Sequence, residues 1–283
     1  MGNSEVTEKS LVCKRYSMTF AIIEKLRKAL WIVGQPLSRK PSSLDCPISD
    51  LFIWRNSQEW ETFFELSDLP SLFGDSIPKA GYATFHFFNA HGRHLGESKV
   101  AYDLAMRQTV RISDLLGSFC EEFGTFAVFH SNTSKLIQSH NSYLTERGYV
   151  SYCYRGAPLR SYVHGNFDAI AFTPGRKFEF LGSAGVLTRE FRLQHEFYEG
   201  STYEFTIVNP CSTKQIILIE LVSIPHGYKV SCNELKLRPG ESTLVPLEFS
   251  GQGRVRVVIK SRIVMARPLI FHIYKQKLDV FHG

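Results

Sequence analysis

Residues 82–92 read YATFHFFNAHG, and this stretch decides the fold class. Aromatic and β-branched side chains dominate residues 82–88, and such side chains favour strands. Asn89 and Gly92 then mark a turn. Short runs of the same character, separated by turn residues, occupy the chain from Leu51 onward. The sequence therefore predicts a mainly β protein.

These runs form two series with a common order. In the first series, a run that ends at Asn89 leads to a later pair of apolar runs. In the second series, a run that ends at Asn209 leads to a similar pair at 254–259 and 269–274. The pattern predicts two tandem antiparallel β-sandwich modules that arose by duplication.

The 283 residues leave room for two ordinary domains. Apolar residues at steps of three and four between Ser17 and Val33 predict an amphipathic N-terminal helix. Its polar face carries Lys25, Arg27 and Lys28, so it either packs on its own domain or docks on a membrane surface or a partner. The predicted organisation is an N-terminal helix and linker at 1–47, a first sandwich at 48–175 and a second sandwich at 176–283.

The composition is that of a globular protein, with 43% hydrophobic and 21% charged residues. The formal net charge of +6 is mildly basic, but Lys and Arg are spread over the whole length, so we do not expect nucleic-acid binding. No uninterrupted apolar run reaches the roughly 20 residues that a membrane-spanning helix needs. We therefore expect no transmembrane segment.

The cysteines show no CxxC pair and no zinc-binding spacing, and no stretch has the pattern of a secretory leader. They are Cys13, Cys46, Cys120, Cys153, Cys211 and Cys232. We expect reduced thiols and a cytoplasmic protein. The sequence also has no GxSxG nucleophile elbow and no glycine-rich phosphate loop, so it indicates no particular reaction and no cofactor.

Several short motifs of the first series stand in a characteristic order. Residues 88–92, FNAHG, end one run, and residues 106–111 form an extended Arg-Thr segment. Two further runs follow at 125–128 and 137–140. This order resembles the small β-sandwich family typified by the sensory-rhodopsin transducer. The second series keeps only Val208-Asn209 of the motifs, so the resemblance lies mainly in the first series.

The resemblance implies a non-enzymatic, oligomer-forming ligand-binding or signalling module without a cofactor. It implies no particular ligand. The chain departs from the family in its N-terminal helix, in its second series and in the loop from Ser139 to Asn166. No photoreceptor partner is therefore inferred, and we expect a homo-oligomer.

Segment 149–168 is the richest in side chains that could hold a ligand. Alternation along extended strands places Tyr152 and Tyr154 on one face, and Tyr162 and His164 on one face of the next run. Arginine pairs fork onto carboxylates or phosphates, and tyrosine rings suit sugars. The other interpretation is an ordinary solvent-facing sheet. We predict that a polar ligand is held by Tyr152, Tyr154, Arg155, Arg160, Tyr162 and His164.

A group of histidines supports a different hypothesis. Histidine is the commonest metal ligand, and the mouth of a cupin-like double-sheet barrel can gather three imidazoles and a carboxylate. The spacing opposes this hypothesis, because His91 and His94 surround a glycine turn and no HxH or HxxxH pair with a nearby Glu occurs. The candidate ligands of such a metal-dependent enzyme are His86, His91, His94, His130 and His140.

The sequence leaves open whether the protein catalyses a reaction, and it favours binding. We expect a non-enzymatic protein that binds a saccharide, an anionic metabolite or a protein partner through its Tyr/Arg/His face. The metal-dependent enzyme is the alternative. A third hypothesis is an assembly subunit joined through exposed sheet edges.

Overall fold

Strands make up most of the described chain, which confirms the predicted mainly β class. The computed structural model describes residues 39–43, 46–69, 81–102, 107–117, 121–131, 145–165, 170–173, 175, 177–224, 226–251 and 253–283. By their contacts these residues belong to one compact unit. The predicted helix between Ser17 and Val33 lies outside the described residues, as does the predicted run at 136–140.

The elements follow in chain order. The strands are β1 (Ile48–Ser49), β2 (Phe52–Arg55), β3 (Trp60–Ser67), β4 (Tyr82–Asn89), β5 (His94–Ala101), β6 (Arg107–Arg111), β7 (Phe123–His130), β8 (Thr145–Glu146), β9 (Tyr149–Tyr154), β10 (Ser161–His164), β11 (Ile170–Thr173), β12 (Lys177–Phe180), β13 (Ala184–Tyr198), β14 (Thr202–Val208), β15 (Gln215–Ser223), β16 (Lys229–Leu237), β17 (Ser242–Pro246), β18 (Arg254–Ile263), β19 (Leu269–Tyr274) and β20 (Lys277–His282). A short helix, α1 (Ile112–Leu116), follows β6.

The strands form five four-stranded sheets. Their strand orders are β12-β11-β1-β8 in sheet 1, β2-β7-β4-β5 in sheet 2, β10-β9-β3-β6 in sheet 3, β13-β18-β15-β16 in sheet 4 and β17-β14-β19-β20 in sheet 5. The strand pairs in these sheets are antiparallel except β1 with β8. No one of the five sheets consists of four consecutive strands, so the chain crosses repeatedly between sheets.

Sheet 2 is a middle layer between sheets 1 and 3, because β4 is apolar on both faces. Phe85 faces sheet 3, where the ring of Phe64 meets it edge-on at 5.6 Å between centroids. The neighbouring His86 faces sheet 1, with its ring 4.8 Å from that of Phe172. Successive residues of a strand point to opposite faces. A strand packed on both sides therefore needs apolar or aromatic residues at nearly every position, as β4 has.

Sheets 4 and 5 enclose a second core. The rings of Phe197 on β13 and Phe205 on β14 lie 5.3 Å apart across this core. Ile217 and Ile259 from the two central strands of sheet 4 are buried against them. This core forms from alternating inward-facing residues, which is the pattern of a face-to-face sheet pair.

The two cores are joined through sheet 5. Strand β19 is buried at three successive residues, Leu269, Ile270 and Phe271. Ile270 belongs to the core between sheets 4 and 5. Phe271 points the other way and enters the first core, with its ring 5.3 Å from Trp60 and 4.9 Å from Tyr152.

The prediction of two tandem β-sandwich modules is therefore wrong. Two such modules would have four sheets and two separate cores. The structure has five sheets, and strands of the C-terminal half complete the core of the N-terminal half. The physical reason is that β4 and β19 are apolar on both faces and must be covered on both. The predicted boundaries after residues 47 and 175 stay predictions.

The asparagines that suggested a duplication have the same local role. The side-chain oxygen of Asn89 accepts hydrogen bonds from the backbone N–H of His91 at 3.1 Å and of Arg93 at 3.0 Å. The side-chain oxygen of Asn209 accepts a hydrogen bond from the backbone N–H of Cys211 at 3.0 Å. Each closes the turn after its strand, as asparagine commonly does. The duplication itself stays a prediction.

Arg55 crosses the junction between the two cores. Its guanidinium carbon lies 3.6 Å from the centre of the Trp60 ring and 4.9 Å from that of Phe271. Its Nη1 is 2.5 Å from Oε2 of Glu204 on β14. Burial lowers the pKa of Arg55, and the Glu204 carboxylate opposes this shift. Because a guanidinium stays protonated in proteins, the pair is ionic and ties β2 to β14.

Two turns, one from each half, meet at a second junction. Gly92 has a φ of 74°. A Cβ at this position would lie 2.8 Å from the carbonyl carbon of Gly240. The backbone N–H of Ser242 donates to the carbonyl of Ala90 at 2.8 Å. Glycine is required at Gly92 both for its conformation and for this close approach.

The edges of sheets 3 and 5 also meet. The backbone N–H of Val280 on β20 donates to Oγ of Ser161 on β10 at 2.8 Å. Nε2 of His282 lies 2.9 Å from the carbonyl oxygen of His164, to which it donates. These contacts bring the edge strand of sheet 5 alongside the edge strand of sheet 3.

The cysteines within the described residues form no disulfide. They are Cys46, Cys153, Cys211 and Cys232. In the same part of the chain, no helix has the length and apolar character needed to cross a bilayer.

The Arg55–Glu204 pair makes a prediction about stability. Substitution Arg55→Met leaves the Glu204 carboxylate at the junction without its cation, and we expect a loss of about 3 kcal/mol in the free energy of unfolding. The double substitution Arg55→Met with Glu204→Gln should lose less than the sum of the two single changes, by about 1 kcal/mol or more. Urea unfolding of the four proteins measures this coupling, and strictly additive losses would show that the pair is not coupled.

The burial of His282 predicts acid sensitivity. Burial lowers the pKa of His282 to about 4, from an ordinary value of 6.5. Between these values the unfolded chain binds a proton that the folded chain excludes, so the free energy of unfolding falls as the pH drops from 6.5 to 4. We expect the urea midpoint to fall over this range. Burial also lowers the pKa of His195 and His272, so other groups share the effect.

Substitution His282→Gln should reduce this fall in the urea midpoint, because it removes one of the excluded protons. The control is His91→Gln, which replaces an exposed imidazole. It should reduce the fall in the urea midpoint less than His282→Gln does. Equal effects of the two substitutions would contradict the role given to His282.

Candidate functional site

The structure separates the predicted ligand residues by the faces of sheet 3. In the pairing of β9 with β10, Ser161 lies opposite Tyr152, and Tyr162 lies opposite Ser151. Residues directly opposite each other share a face. Tyr162 and His164 therefore lie on the outer face of sheet 3, whereas Tyr152 and Tyr154 lie on its inner face. The six residues do not converge in one concavity.

Tyr152 and Tyr154 belong to the core. Tyr152 is fully buried, and its hydroxyl donates to the carbonyl of Ile53 at 3.0 Å. Burial raises the pKa of Tyr152, so its hydroxyl stays protonated. The ring of Tyr154 packs 4.8 Å from that of Trp60. Neither ring is free to stack on a ligand.

Arg155 lies in the turn after β9, away from the other cations. Its backbone has a φ of 50°, and its side chain is exposed. Nε donates to Oε1 of Glu59 at 2.7 Å. The guanidinium carbon lies 4.8 Å from the centre of the Tyr154 ring. Arg155 thus covers the rim of the core and is already paired.

The outer face of sheet 3 carries a row of exposed rings. Tyr149 is 52% exposed and Tyr162 is 49% exposed. His164 stands directly opposite Tyr149 in the pairing of β9 with β10. Its ring lies 4.9 Å from that of His282, which supports it from the side of sheet 5. We call Tyr149, Tyr162 and His164 the ring row.

Arg160 lies beside the ring row. Its guanidinium carbon is 4.2 Å from the centre of the Phe63 ring on β3. Its Nη1 is 4.0 Å from Oε1 of Glu65 and has no hydrogen-bond partner among the described residues. Stacking on Phe63 holds the guanidinium plane in place, which reduces the entropy that it would lose on binding an anion.

Further charges surround Arg160. Glu65 is buried and accepts a hydrogen bond from Oγ1 of Thr109 at 3.0 Å. Nε of Arg107 lies 3.4 Å from the same carboxylate, and Arg111 pairs with Glu61. Among the described residues, this face thus carries three arginines, Arg107, Arg111 and Arg160, against the carboxylates of Glu61 and Glu65. The excess positive charge favours a ligand with negative charge.

Sequence reasoning missed Tyr149 as a member of this face. Along β9, Tyr149, Ser151 and Cys153 lie on the outer face and Val150, Tyr152 and Tyr154 on the inner face, and only Tyr149 of the six is exposed. The alternation was visible in the sequence. Which set faces the core was not, because both sets contain aromatic or apolar residues.

The described histidines of the alternative hypothesis do not form a single cluster, although two of them are in contact. Nδ1 of His86 lies 3.2 Å from Nε2 of His94. His91 is exposed, with its Nδ1 3.5 Å from Oε1 of Glu241. His140 lies outside the described residues. Among the described residues, no group of three His, Cys, Asp or Glu side chains is placed to hold a metal ion.

His130 takes part in a buried hydrogen-bond chain instead. Its Nε2 lies 2.6 Å from Oε2 of Glu146, and its Nδ1 lies 2.5 Å from the hydroxyl of Tyr102. The imidazole of His130 thus bridges the Glu146 carboxyl group and the Tyr102 hydroxyl. Burial, with the nearby carboxylates of Asp68 and Glu146, raises the pKa of Tyr102. The chain links the ends of β5, β7 and β8, and sequence spacing gave no sign of it.

The placement of Tyr152 and Tyr162 on opposite faces predicts unequal effects of their substitution on the free energy of unfolding. Tyr152→Phe removes a buried hydrogen-bond donor and leaves the carbonyl of Ile53 without it, so we expect a loss of about 1 kcal/mol in the free energy of unfolding. Tyr162→Phe alters a solvent-facing ring and should change the free energy by less than about 0.5 kcal/mol. Urea unfolding compares the two. A larger loss for Tyr162→Phe would contradict the assignment of faces.

Comparison with known proteins adds little to this geometry. No family model matches the chain, and no curated protein matches it significantly. A solved β-glucuronidase from glycoside hydrolase family 2 aligns with 82% of this chain and 23% of its own length, at 13% identity and a TM-score of 0.16. The chain thus spans less than a quarter of that protein, and a TM-score this low carries no argument about fold or function.

Proposed function

We propose that the protein is a non-enzymatic binding protein whose ligand is a polar, ring-bearing molecule, best represented by an anionic saccharide. The observation that carries this proposal is the ring row on the outer face of sheet 3. Tyr149 and Tyr162 are each about half exposed on strands that pair with one another. Large side chains in such positions gain by being covered.

The chemistry of the ring row suits a sugar. The C–H bonds of a pyranose face pack on aromatic faces, while tyrosine hydroxyls and imidazole nitrogens can bond with sugar hydroxyls. Side chains directly opposite each other on paired strands are about 5 Å apart, and diagonal neighbours are about 7 Å apart. His164 is directly opposite Tyr149, and Tyr162 is a diagonal neighbour of Tyr149. The row can therefore cover one or two sugar rings.

Arg160 supplies the charge in this proposal. Its guanidinium is held on Phe63 at the side of the ring row and is only weakly engaged by Glu65, at 4.0 Å. A planar guanidinium forks onto a carboxylate. A ligand that combines a sugar ring with a carboxylate would use both features of the face. A protein partner that presents such groups would bind in the same way.

Other properties remain proposals beside this one. We propose a cytoplasmic protein that needs no cofactor and forms a homo-oligomer, as the resemblance to the sensory-rhodopsin transducer family implies. The sequence also suggests that the predicted N-terminal helix contacts a membrane surface. These properties do not depend on the ring row.

A panel of neutral and uronate-containing oligosaccharides tests the proposal. We expect at least one uronate-containing member to bind the full chain in calorimetric titration. Tyr149→Ala and Tyr162→Ala should each weaken binding by about fivefold, since stacking on an aromatic ring is worth about 1 kcal/mol. Arg160→Ala should weaken binding of uronate-containing members more than that of neutral ones, because it removes only the charge contact.

The matched control is Tyr274→Ala. Tyr274 is 45% exposed on β19 and lies outside the ring row. The Tyr274→Ala variant should bind the members of the panel as the wild-type protein does. The proposal fails if no member of the panel binds, or if Tyr274→Ala weakens binding as much as Tyr162→Ala.

A further inference from the structure

A stripe of cations runs along the outer face of sheet 4. On β18, Val255, Val257 and Ile259 are buried in the second core. The residues that alternate with them point outward, and they include Arg254 and Arg256. Period-two alternation places these cations, with Lys260 and Arg262 further along, on one face of the strand.

Two of these cations, Arg254 and Lys260, are neutralised by carboxylates on the neighbouring strands. Nη1 of Arg254 lies 3.1 Å from Oε2 of Glu196. Nζ of Lys260 lies 2.7 Å from Oε2 of Glu220. Glu220 also pairs with Lys229, and these two ammonium groups hold its pKa below the ordinary value. The carboxylates are therefore committed to their present partners.

Arg256 is different. It is exposed, and within the described part of the chain it has no ion pair and no hydrogen bond to its guanidinium. Its register partner on β13 is Glu196, but that carboxylate bonds to Arg254. On β15 its partner is Val222, which offers no charge. The position of Arg256 between an engaged carboxylate and an apolar residue leaves its positive charge uncompensated.

A surface cavity of about 400 Å³ opens next to Arg256. Two other cations line it, Arg192 and Lys260, and both are paired with carboxylates of the same lining. Its apolar lining comes from Val222 and Val258, with Ile224 beside them. The volume falls in the lower part of the range for small-molecule sites.

We propose that this cavity is a binding site for a small organic oxyanion, a carboxylate or a phosphate joined to a compact apolar group, with Arg256 as its anchor. The guanidinium forks onto two oxygens of the anion. The apolar group lies against Val222 and Val258. This site lies on sheet 4 and is separate from the ring row of sheet 3.

Phenyl phosphate and benzoate are suitable probes, because each joins an oxyanion to one apolar ring. We expect either or both to give saturable shifts of the backbone amides of Val222 to Ile224 in a nitrogen–proton NMR titration of the full chain at low ionic strength. Benzyl alcohol, which has the ring without the charge, should give none. The better of the two anions identifies whether the site prefers the tetrahedral or the planar group.

Substitution Arg256→Ala should weaken binding of the better probe by at least about tenfold, since a hydrogen bond to a charged group is worth about 1.5–3 kcal/mol. Arg256→Lys, which keeps the charge but not the fork, should fall between this variant and the wild-type protein. The matched control is Arg262→Ala, which removes the same charge from the same face of β18 but lies outside the cavity lining and bonds the carbonyl of Gly185, not a carboxylate. It should bind within about twofold of the wild-type protein.

Two results would overturn the proposal. One is the absence of saturable shifts at the cavity amides with both anions. The other is equal weakening by Arg262→Ala and Arg256→Ala, which would show a general attraction of anions to the basic face. The oligosaccharide titration serves as a check on independence, because Arg256→Ala should leave binding at the ring row unchanged.

Discussion

A buried guanidinium is the constraint on which the joining of the two halves depends. Arg55 stacks on Trp60 and Phe271 and pairs with Glu204, so it is in contact with both halves at once. A charge in such a place is tolerated only while its partner stays in position. Sheet 5 must therefore be seated against sheets 2 and 3 before the first core is complete. The ion pair fixes which edge of the C-terminal half meets the N-terminal half.

The layered arrangement follows from two strands that are apolar on both faces. Strand β4 is covered by sheet 3 on one side and by sheet 1 on the other. Strand β19 is covered by the second core and by Trp60 of the first. Each of these strands forces a third layer onto what would otherwise be a two-sheet sandwich. The outer faces of sheets 3 and 4 then remain for contact with solvent, and these are the faces that carry the ring row and the cavity beside Arg256.

The sequence predicted the strands better than their assembly. The expected runs at 82–88, 254–259 and 269–274 lie within strands β4, β18 and β19. Many pairing partners, such as β2 with β7 and β3 with β9, are far apart in the chain, and nothing local specifies them. For the site, alternation separated the two faces of β9 correctly. It did not show which face is buried, because aromatic rings occur both in cores and on surfaces. The placement of Tyr152 and Tyr154 in the core therefore needed the structure.

The shared core has a consequence for cutting the chain into pieces. A fragment that ends before sheet 4 would leave Trp60 and Tyr152 uncovered and Arg55 without its counter-ion. The complementary fragment would expose Phe271 to water. Each piece carries what the other lacks, so the halves should associate when mixed and should be poorly behaved when expressed singly. Recombination that exchanges one half for a foreign β domain would fail for the same reason.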